Sequence, residues 1–422
     1  MKIRLWKGYH CEELQSVIAE SWAHGDLLLM CPPLIADLDF VDSLPHGTLT
    51  LCGDWELELH EMARLKQAHG WKPAHEYPVM PALGVFTTGT TSGKPRLVLY
   101  SRENIESSTA AIMRLFDRTL IKMVFCYPQP FYTFGLTLGY MMSLLHGLKL
   151  VSLPGRYTAA SHDLRLSISS PKLLTLGTPA HFQDLRDHCL KTGRTPAPSY
   201  ASIVGGARVT AKLWRIMRDE LLISAPSIGY GATEAAPGVT HQRPGVEPTE
   251  DGEIGEPLPH LVTSIRPGEG VEFYGPATCL AIVSAAGVEF PHTILLKDNV
   301  RTRADGRWVY EGRLDLTLNR GGQKFSLEHI EEKLKTAFGF EALCVPVPHG
   351  RLGEDLGILL KGIPSNEISH QRRLVGEYLR GALKTQFELG GFLCVDDFPI
   401  NANAKTDRKA SAQLLTQQMA SL

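Results

Sequence analysis

The chain is poor in the features that mark most specialised protein classes. Its eight cysteines (Cys11, Cys31, Cys52, Cys126, Cys189, Cys279, Cys344 and Cys394) are scattered, and no two form a C-x-x-C pair. This spacing argues against a zinc site or a disulfide framework, and it predicts a reducing, cytoplasmic setting. Charge of one sign is also lacking. The 43 Lys and Arg residues nearly balance 45 Asp and Glu, leaving −2. Nothing electrostatic therefore points to nucleic acid or an anionic membrane. Long hydrophobic runs are missing too. The most apolar stretch, Thr133 to Val151, is broken by His146, Lys149 and three glycines, which predicts a buried helix and not a membrane span. The opening Met1-Lys2-Ile3-Arg4-Leu5-Trp6-Lys7 has no apolar signal-peptide core. There is no internal repeat, no low-complexity tract and no G-x-x-x-x-G-K-[ST] phosphate loop.

What remains is an ordinary soluble composition, 43% hydrophobic and 21% charged, in 422 residues. That length exceeds one ordinary domain and predicts two. Residues 1 to 80 mix a helix (Glu12 to Trp22), a buried strand (Leu27 to Met30) and proline-rich turns. An amphipathic stretch (Asn104 to Leu115) leads to a short strand (Lys122 to Cys126). Apolar runs at Lys172 to Leu176 and Ser202 to Val204 read as buried parallel strands, with helical patterns at His181 to Cys189 and Ala211 to Leu222. This alternation predicts an α/β fold with parallel or mixed sheets flanked by helices. A second, α+β unit is expected from about 315. It reads as a helix (Leu327 to Ala337) capped by Ser326, strands at Leu343 to Val347 and Leu356 to Lys361, a helix (Gln371 to Phe387) and a strand (Gly391 to Val395).

The chemistry concentrates in Thr87-Thr88-Gly89-Thr90-Thr91-Ser92-Gly93-Lys94-Pro95-Arg96. Glycines allow tight turns and close approach of backbone N–H groups to an anion. Hydroxyls add donors, and Lys94 and Arg96 add positive charge. The stretch reads as a phosphate clamp, with a polar surface turn as the competing reading. Five segments follow in order: Gln129 to Leu136, aromatic and glycine-containing; Val204-Gly205-Gly206-Ala207-Arg208; Gly229-Tyr230-Gly231-Ala232-Thr233-Glu234; Asp298 followed by Gly312-Arg313-Leu314-Asp315; and Asn403-Ala404-Lys405-Thr406-Asp407-Arg408-Lys409.

From about residue 83 to 410 this constellation resembles the ANL superfamily of adenylate-forming enzymes. That superfamily includes acyl- and aryl-CoA synthetases, nonribosomal-peptide adenylation domains and firefly luciferase. Its phosphate loop, roughly T-S-G-T-T-G-x-P-K, is matched with one extra residue, Ser92 or Gly93. Y-G-x-T-E is matched in full by Tyr230 to Glu234. T-G-D is reduced to Lys297-Asp298, with the right spacing to G-R-x-D, and G-K-x-x-R becomes Ala404-Lys405-Thr406-Asp407-Arg408. Only 86 residues precede the loop. That resembles the compact phenylacetate-CoA ligases and implies a reduced N-terminal subdomain.

The resemblance implies a large AMP-binding domain over 1–314 and a small mobile lid over 315–422. It implies ATP and Mg²⁺, a small carboxylic acid, and CoA or the phosphopantetheine arm of an acyl carrier protein. Lys405 is expected to bridge the carboxylate and the α-phosphate, Glu234 to hold Mg²⁺, and Thr233 to donate to the α-phosphate. Thr87, Thr88, Gly89, Thr90, Thr91 and Lys94 would cradle the outer phosphates. Tyr230, Gly231, Gly206 and Ala207 would line adenine, while Asp298 would accept from the ribose hydroxyls and Arg313 would support the ribose or a phosphate. Tyr132, Phe134 and Gly205 would line the acyl pocket, Asp315 would be the hinge, and Gly322 would lie at the thiol tunnel. The expected activity is an AMP-forming acid–thiol ligase for an aromatic or fatty acid. The alternatives are a ligase loading a carrier protein and a nucleotide-binding protein of this fold that has lost catalysis.

Overall fold

Strand and helix signals alternate from the first residues onward, and local chemistry explains most of the boundaries. The computed structural model describes residues 2–33, 44–45, 48–53, 76–88, 95–284, 286–321, 323–364, 367–389, 391–400 and 406–420. They cluster into two compact units. One comprises Met1–Ile265, Glu272–Leu296 and Arg301–Tyr310; the other comprises Arg266–Val271, Lys297–Val300 and Glu311–Leu422.

The first unit contains two large mixed sheets. In one, Lys2–Lys7 pairs in parallel with Leu27–Cys31 and Thr48–Gly53, and Leu27–Cys31 pairs in parallel with Leu83–Thr88. Leu83–Thr88 then turns back antiparallel into Pro95–Tyr100. The run Leu27-Leu28-Leu29-Met30-Cys31 is buried throughout, as expected of a strand covered on both faces. The other sheet has a parallel core of Lys149–Val151, Met123–Cys126, Leu173–Gly177, Ser199–Val204 and Ile223–Gly231. Antiparallel strands Gly238–His241 and Glu253–Pro257 extend it.

One apolar cluster joins the facing sides of the two sheets. It contains Leu28, Met30, Val85 and Val98 from the first sheet, Val124, Leu174, Leu176 and Ile203 from the second, and Ile105 and Ile112 from the helix Arg102–Met113. That helix starts where its sequence says it should. Ser101 accepts from the Asn104 N–H, and the Asn104 side chain accepts in return from the Ser101 N–H. On the outer face of the second sheet, Val204, Ile223 and Ile228 pack against Phe182 and Leu185 of the helix Pro179–Thr192 and Trp214 of the helix Ala211–Asp219. The latter ends before Leu222, whose φ of 52° is left-handed.

Among the described residues, no helix is long and apolar enough to cross a membrane. The expected buried helix over Thr133 to Val151 is instead composite. A π-helical segment, Phe134–Met141, runs into the α-helix Met142–His146, then a left-handed Gly147 and the strand Lys149–Val151.

In the second unit, Thr317–Arg320, Gln323–Ser326, Ala342–His349, Gly353–Lys361 and Gly391–Val395 form a sheet. Three helices follow the same stretch of chain: Leu327–Phe338, Ile368–Leu383 and Arg408–Ala420. Ser326 caps the first by accepting from the His329 N–H at 3.3 Å. The second, Ile368–Leu383, begins and ends earlier than the expected Gln371 to Phe387. Lys384 adopts a φ of 52°, and Phe387 reaches the core from the following loop, its ring 5.2 Å from Phe325. Periodicity alone cannot tell an in-phase loop aromatic from one more helical turn.

Candidate active site

The phosphate-clamp sequence lies at the tip of a β-hairpin. Leu83–Thr88 and Pro95–Tyr100 pair antiparallel up to Thr87 opposite Arg96 and Thr88 opposite Pro95. Gly89, Thr90, Thr91 and Lys94 fall outside the described residues. At the base of the tip, Thr87 Oγ1 and Arg96 Nε are both buried, and neither has a hydrogen-bond partner among the described residues. Buried polar atoms are normally satisfied, so two orphans on facing residues fit a polar ligand at the tip.

A second Arg96 nitrogen meets the Y-G-x-T-E motif. Nη2 lies 3.3 Å from Glu234 Oε1, with the Glu234 side chain 15% exposed. Glu234 follows a tight turn after the strand Ile223–Gly231. Its carbonyl accepts from the Cys279 N–H at 2.8 Å, and the Ala232 N–H donates to the Pro237 carbonyl at 2.9 Å. Tyr100, at the far end of the loop's second strand, locks the same turn. Its hydroxyl donates to the Thr233 carbonyl at 2.7 Å. That uses the one phenolic proton, so the 3.1 Å contact with Thr133 Oγ1 has the threonine donating. Burial holds the Tyr100 phenol well above its usual pKa, so it stays a neutral donor. Tyr100 and Thr133 were not legible as site residues. An apolar strand end and a residue inside an aromatic motif give no sequence cue to this contact.

Three parallel strands end beside one another here. The Gly205 N–H donates to the Gly177 carbonyl at 3.2 Å, and a Cβ on Gly205 would lie 2.5 Å from the Gly229 carbonyl oxygen. Gly206 follows with a φ of 82°, a conformation that favours glycine. Gly206, Ala207 and Gly231 are exposed, giving a side-chain-poor ledge at the carboxyl ends of the strands. Crevices at this end of parallel sheets are where such folds bind ligands. Tyr230 is half-buried, its ring 6.1 Å from that of Tyr310. Of the aromatic motif, Phe131 is buried between Tyr9 and Tyr132, at 5.9 and 4.8 Å. Tyr132 and Phe134 are half-buried against the main core.

In the second unit the structure links three residues that the motifs treat separately. The Arg313 guanidinium forks onto Asp315, with Nε and Nη2 at 2.6 and 2.7 Å from its carboxylate oxygens. Its Nη1 lies 3.8 Å from Asp298 Oδ1, and Asp298 is 8% exposed. Glu328 accepts from the Arg313 N–H at 3.1 Å. Arg313 thus joins the expected ribose carboxylate to the expected hinge residue. Gly322 and Lys405 lie outside the described residues.

One further cluster has metal-ligand types, His349, Asp355 and Glu388. Two of its three members, Asp355 and His349, are already engaged within the protein. Asp355 accepts from Arg320 at 3.0 Å and from the Leu356 and Glu388 N–H groups at 2.7 and 2.9 Å. His349 Nδ1 accepts from the Arg351 and Leu352 N–H groups, so Nε2 carries the proton directed at Glu388, 3.2 Å away. The cluster is an ion-paired corner.

The sequence profile of the AMP-binding enzyme family matches residues 12–273, more than half of the chain. The chain belongs to this family. It is thereby a member of the ANL superfamily of adenylate-forming enzymes. Among curated relatives, the acyl-CoA ligase SID4 of Ajellomyces capsulatus is 26% identical over 305 residues, covering 65% of this chain and 50% of that protein. The acyl-CoA ligase cnsG of Penicillium expansum is 25% identical over 369 residues, covering 80% and 75%. The chain thus spans about half the length of the first of these relatives. Among solved structures, the o-succinylbenzoate coenzyme A synthetase of Bacillus subtilis, in complex with ATP and magnesium ion, superposes with a TM-score of 0.75 at 16% identity, covering 98% of this chain and 89% of that one. At that identity the likeness shows the fold: a mixed α/β architecture shared over nearly the whole chain.

Proposed function

We propose that this AMP-binding protein is an ATP-dependent, AMP-forming acid–thiol ligase. A carboxylate attacks the α-phosphate of ATP, forming an acyl-adenylate and releasing pyrophosphate. A thiol then attacks the acyl carbon and releases AMP. CoA is the preferred acceptor, in keeping with the names of the acyl-CoA ligase relatives. The phosphopantetheine arm of a carrier protein is the alternative. The observation that carries the reading is the Thr233–Glu234 turn, locked by Tyr100 and paired to Arg96 at the base of the phosphate hairpin.

The first half-reaction brings two anions together, so its barrier is largely electrostatic and preorganised donors lower it. Arg96 and Lys94 would take the outer phosphates, together with the hydroxyls of Thr87, Thr88, Thr90 and Thr91 and the backbone of Gly89. Thr233 would donate to the α-phosphate. Glu234 is the residue that would hold Mg²⁺, a hard cation that prefers carboxylate oxygen and neutralises phosphate charge when bound. The glycine ledge and Tyr230 would receive adenine, and Asp298 the ribose hydroxyls, with Arg313 in support. Lys405 would bridge the two reacting groups as a compact charge on a flexible stem. Asp315 would be the pivot that exchanges the surroundings of the adenylate between halves, and Gly322 would border the thiol path. Tyr132, Phe134 and Gly205 would line an acyl pocket without a carboxylate, which suits an aromatic or fatty acid and disfavours an α-amino acid.

A pyrophosphate-release screen over aryl, fatty and amino acids, with and without CoA, tests this. Benzoate-like or medium-chain acids should turn over, and an α-amino acid as best substrate would refute the pocket reading. Lys405→Ala should slow adenylation by ~10²-fold or more, the scale of one lost transition-state contact. Thiol transfer from supplied adenylate should survive. Equal damage to both halves would overturn the role of Lys405.

A further inference from the structure

The C-terminal motif ends in an arginine to which nothing above gives a task. Arg408 opens the helix Arg408–Ala420. Its guanidinium forks onto Glu331, with Nη1 2.5 Å from Oε1 and Nη2 2.9 Å from Oε2. Nη1 also donates to the Cys344 carbonyl at 2.7 Å, and Glu331 Oε1 accepts from the Cys344 N–H at 2.7 Å. Glu331 belongs to the helix Leu327–Phe338 and Cys344 to the strand Ala342–His349. One half-buried side chain therefore ties three elements of the second unit together, with its carboxylate partner held by a backbone donor.

The residues just before Arg408 are fixed as well. Thr406 forms an antiparallel bridge with Ile400, and the Asp407 N–H donates to the Pro399 carbonyl at 2.7 Å. Asp407 Oδ1 accepts from the Ala410 N–H at 2.9 Å, in the manner of a helix N-cap. The backbone at 406–408 is thus pinned to the preceding strand region on one side and to Glu331 on the other.

We propose that the Arg408–Glu331 fork is a positioning device for Lys405. Lys405 directly precedes this pinned segment in the sequence. The inference rests on the adenylation role given to Lys405 above. Arginine suits the task because two parallel N–H···O bonds define an orientation as well as a distance, whereas a lysine in its place would keep the charge but hold only a point contact. A displacement of about 1 Å in a reacting group can cost about 10²-fold in rate, so a small tilt at Arg408 is felt at Lys405. A purely structural ion pair at a half-exposed site behaves differently: its loss lowers stability slightly and affects both half-reactions alike.

The test uses the full chain carrying Arg408→Lys, Arg408→Ala or Glu331→Gln, each checked for unchanged circular dichroism. Octanoate and benzoate serve as probe acids for pyrophosphate exchange, and synthetic octanoyl-adenylate with CoA serves for the thiol step. All three variants should lower kcat for adenylation by about tenfold or more. KM for ATP and for the acid should stay within about twofold, as should thioester formation from the supplied adenylate. Full adenylation by Arg408→Lys would show that charge alone suffices and would overturn the fork as a positioning device. An equal loss in both half-reactions would reduce it to a stabilising ion pair. Lys405→Ala run beside them separates the two levels of argument. If that variant adenylates normally, the reading of Lys405 fails; if it is slow while the Arg408 variants are not, only the positioning role fails.

Discussion

Gly231→Ala is the smallest change that probes the Thr233–Glu234 turn. Gly231 sits where the strand Ile223–Gly231 comes closest to the returning chain. A Cβ there would lie 1.7 Å from the Pro237 carbonyl oxygen and 2.7 Å from its carbon. Both are backbone atoms, so no side-chain rotation relieves the clash, and the two segments must part by more than about 1 Å to regain ordinary contact. The Ala232 N–H donates to that same carbonyl at 2.9 Å, so the bond is lost. That costs about 1 kcal/mol, and the overpacking adds about 1–3 kcal/mol. The same displacement carries Thr233 and Glu234 away from Arg96 and Tyr100, which at about 10²-fold per ångström should cut pyrophosphate exchange by one to two orders of magnitude, roughly. Gly381→Ala is the matched control. It lies in the helix Ile368–Leu383 with nothing within 4 Å of an added Cβ, and should gain up to about 1 kcal/mol from helix propensity. Urea unfolding and exchange assays on both variants decide the matter. A Gly231→Ala protein with parental stability and exchange would show that the close approach does not set the site.

Acid should destabilise the first unit through His10 and His241. Each is 3% exposed, and burial pushes each imidazole down to about 4, opposed at His10 by the Tyr127 and Pro128 carbonyls. An unfolded chain takes up these protons near 6.5 and the folded one near 4, so stability is complete above about pH 6.5 and falls as pH drops, by at most about 1.4 kcal/mol per unit for each histidine; urea titrations at pH 7 and 5 that agree, or a slope unchanged by His241→Gln, would contradict this. Asp315→Pro should leave adenylation largely intact and block thioester formation, because proline fixes φ at the proposed pivot, restricts Leu314 and removes the carboxylate held by Arg313. Both half-reactions are measured on folded protein, and normal thioester formation would move the pivot elsewhere.

Much of the fold was readable because its signals are local. Leu27–Cys31 announces itself as an unbroken apolar run, Ser101 and Ser326 as helix caps, and Gly391–Val395 as a strand in its observed bounds. The failures are places where distant residues decide. Nothing near Phe387 in sequence says that it enters the core from a loop, and nothing near Thr133 says that a π-helical segment follows. The site divides in the same way. Glycine-rich turns and Y-G-x-T-E are contiguous and therefore visible. The Tyr100 hydroxyl bond to Thr233, the Arg96–Glu234 pair and the Arg408–Glu331 fork join residues 133, 138 and 77 positions apart. Side-chain type alone cannot reveal such pairs.

The pairs share one electrostatic logic. A protein that must gather cations for a polyanionic substrate faces mutual repulsion and desolvation of those cations before the substrate arrives. In this chain three motif arginines are matched with carboxylates: Arg96 with Glu234, Arg313 with Asp315 and Asp298, Arg408 with Glu331. The partners differ in what the proposed reaction asks of them. Glu234 and Asp298 are the carboxylates assigned to Mg²⁺ and ribose, so their contacts to arginine, at 3.3 and 3.8 Å, must loosen on binding. Asp315 and Glu331 are given no ligand, and their arginines hold them in two-point forks at 2.5–2.9 Å. Longer contacts where a ligand would intervene and short forks where geometry must persist are what the proposed cycle of binding, reaction and release asks for.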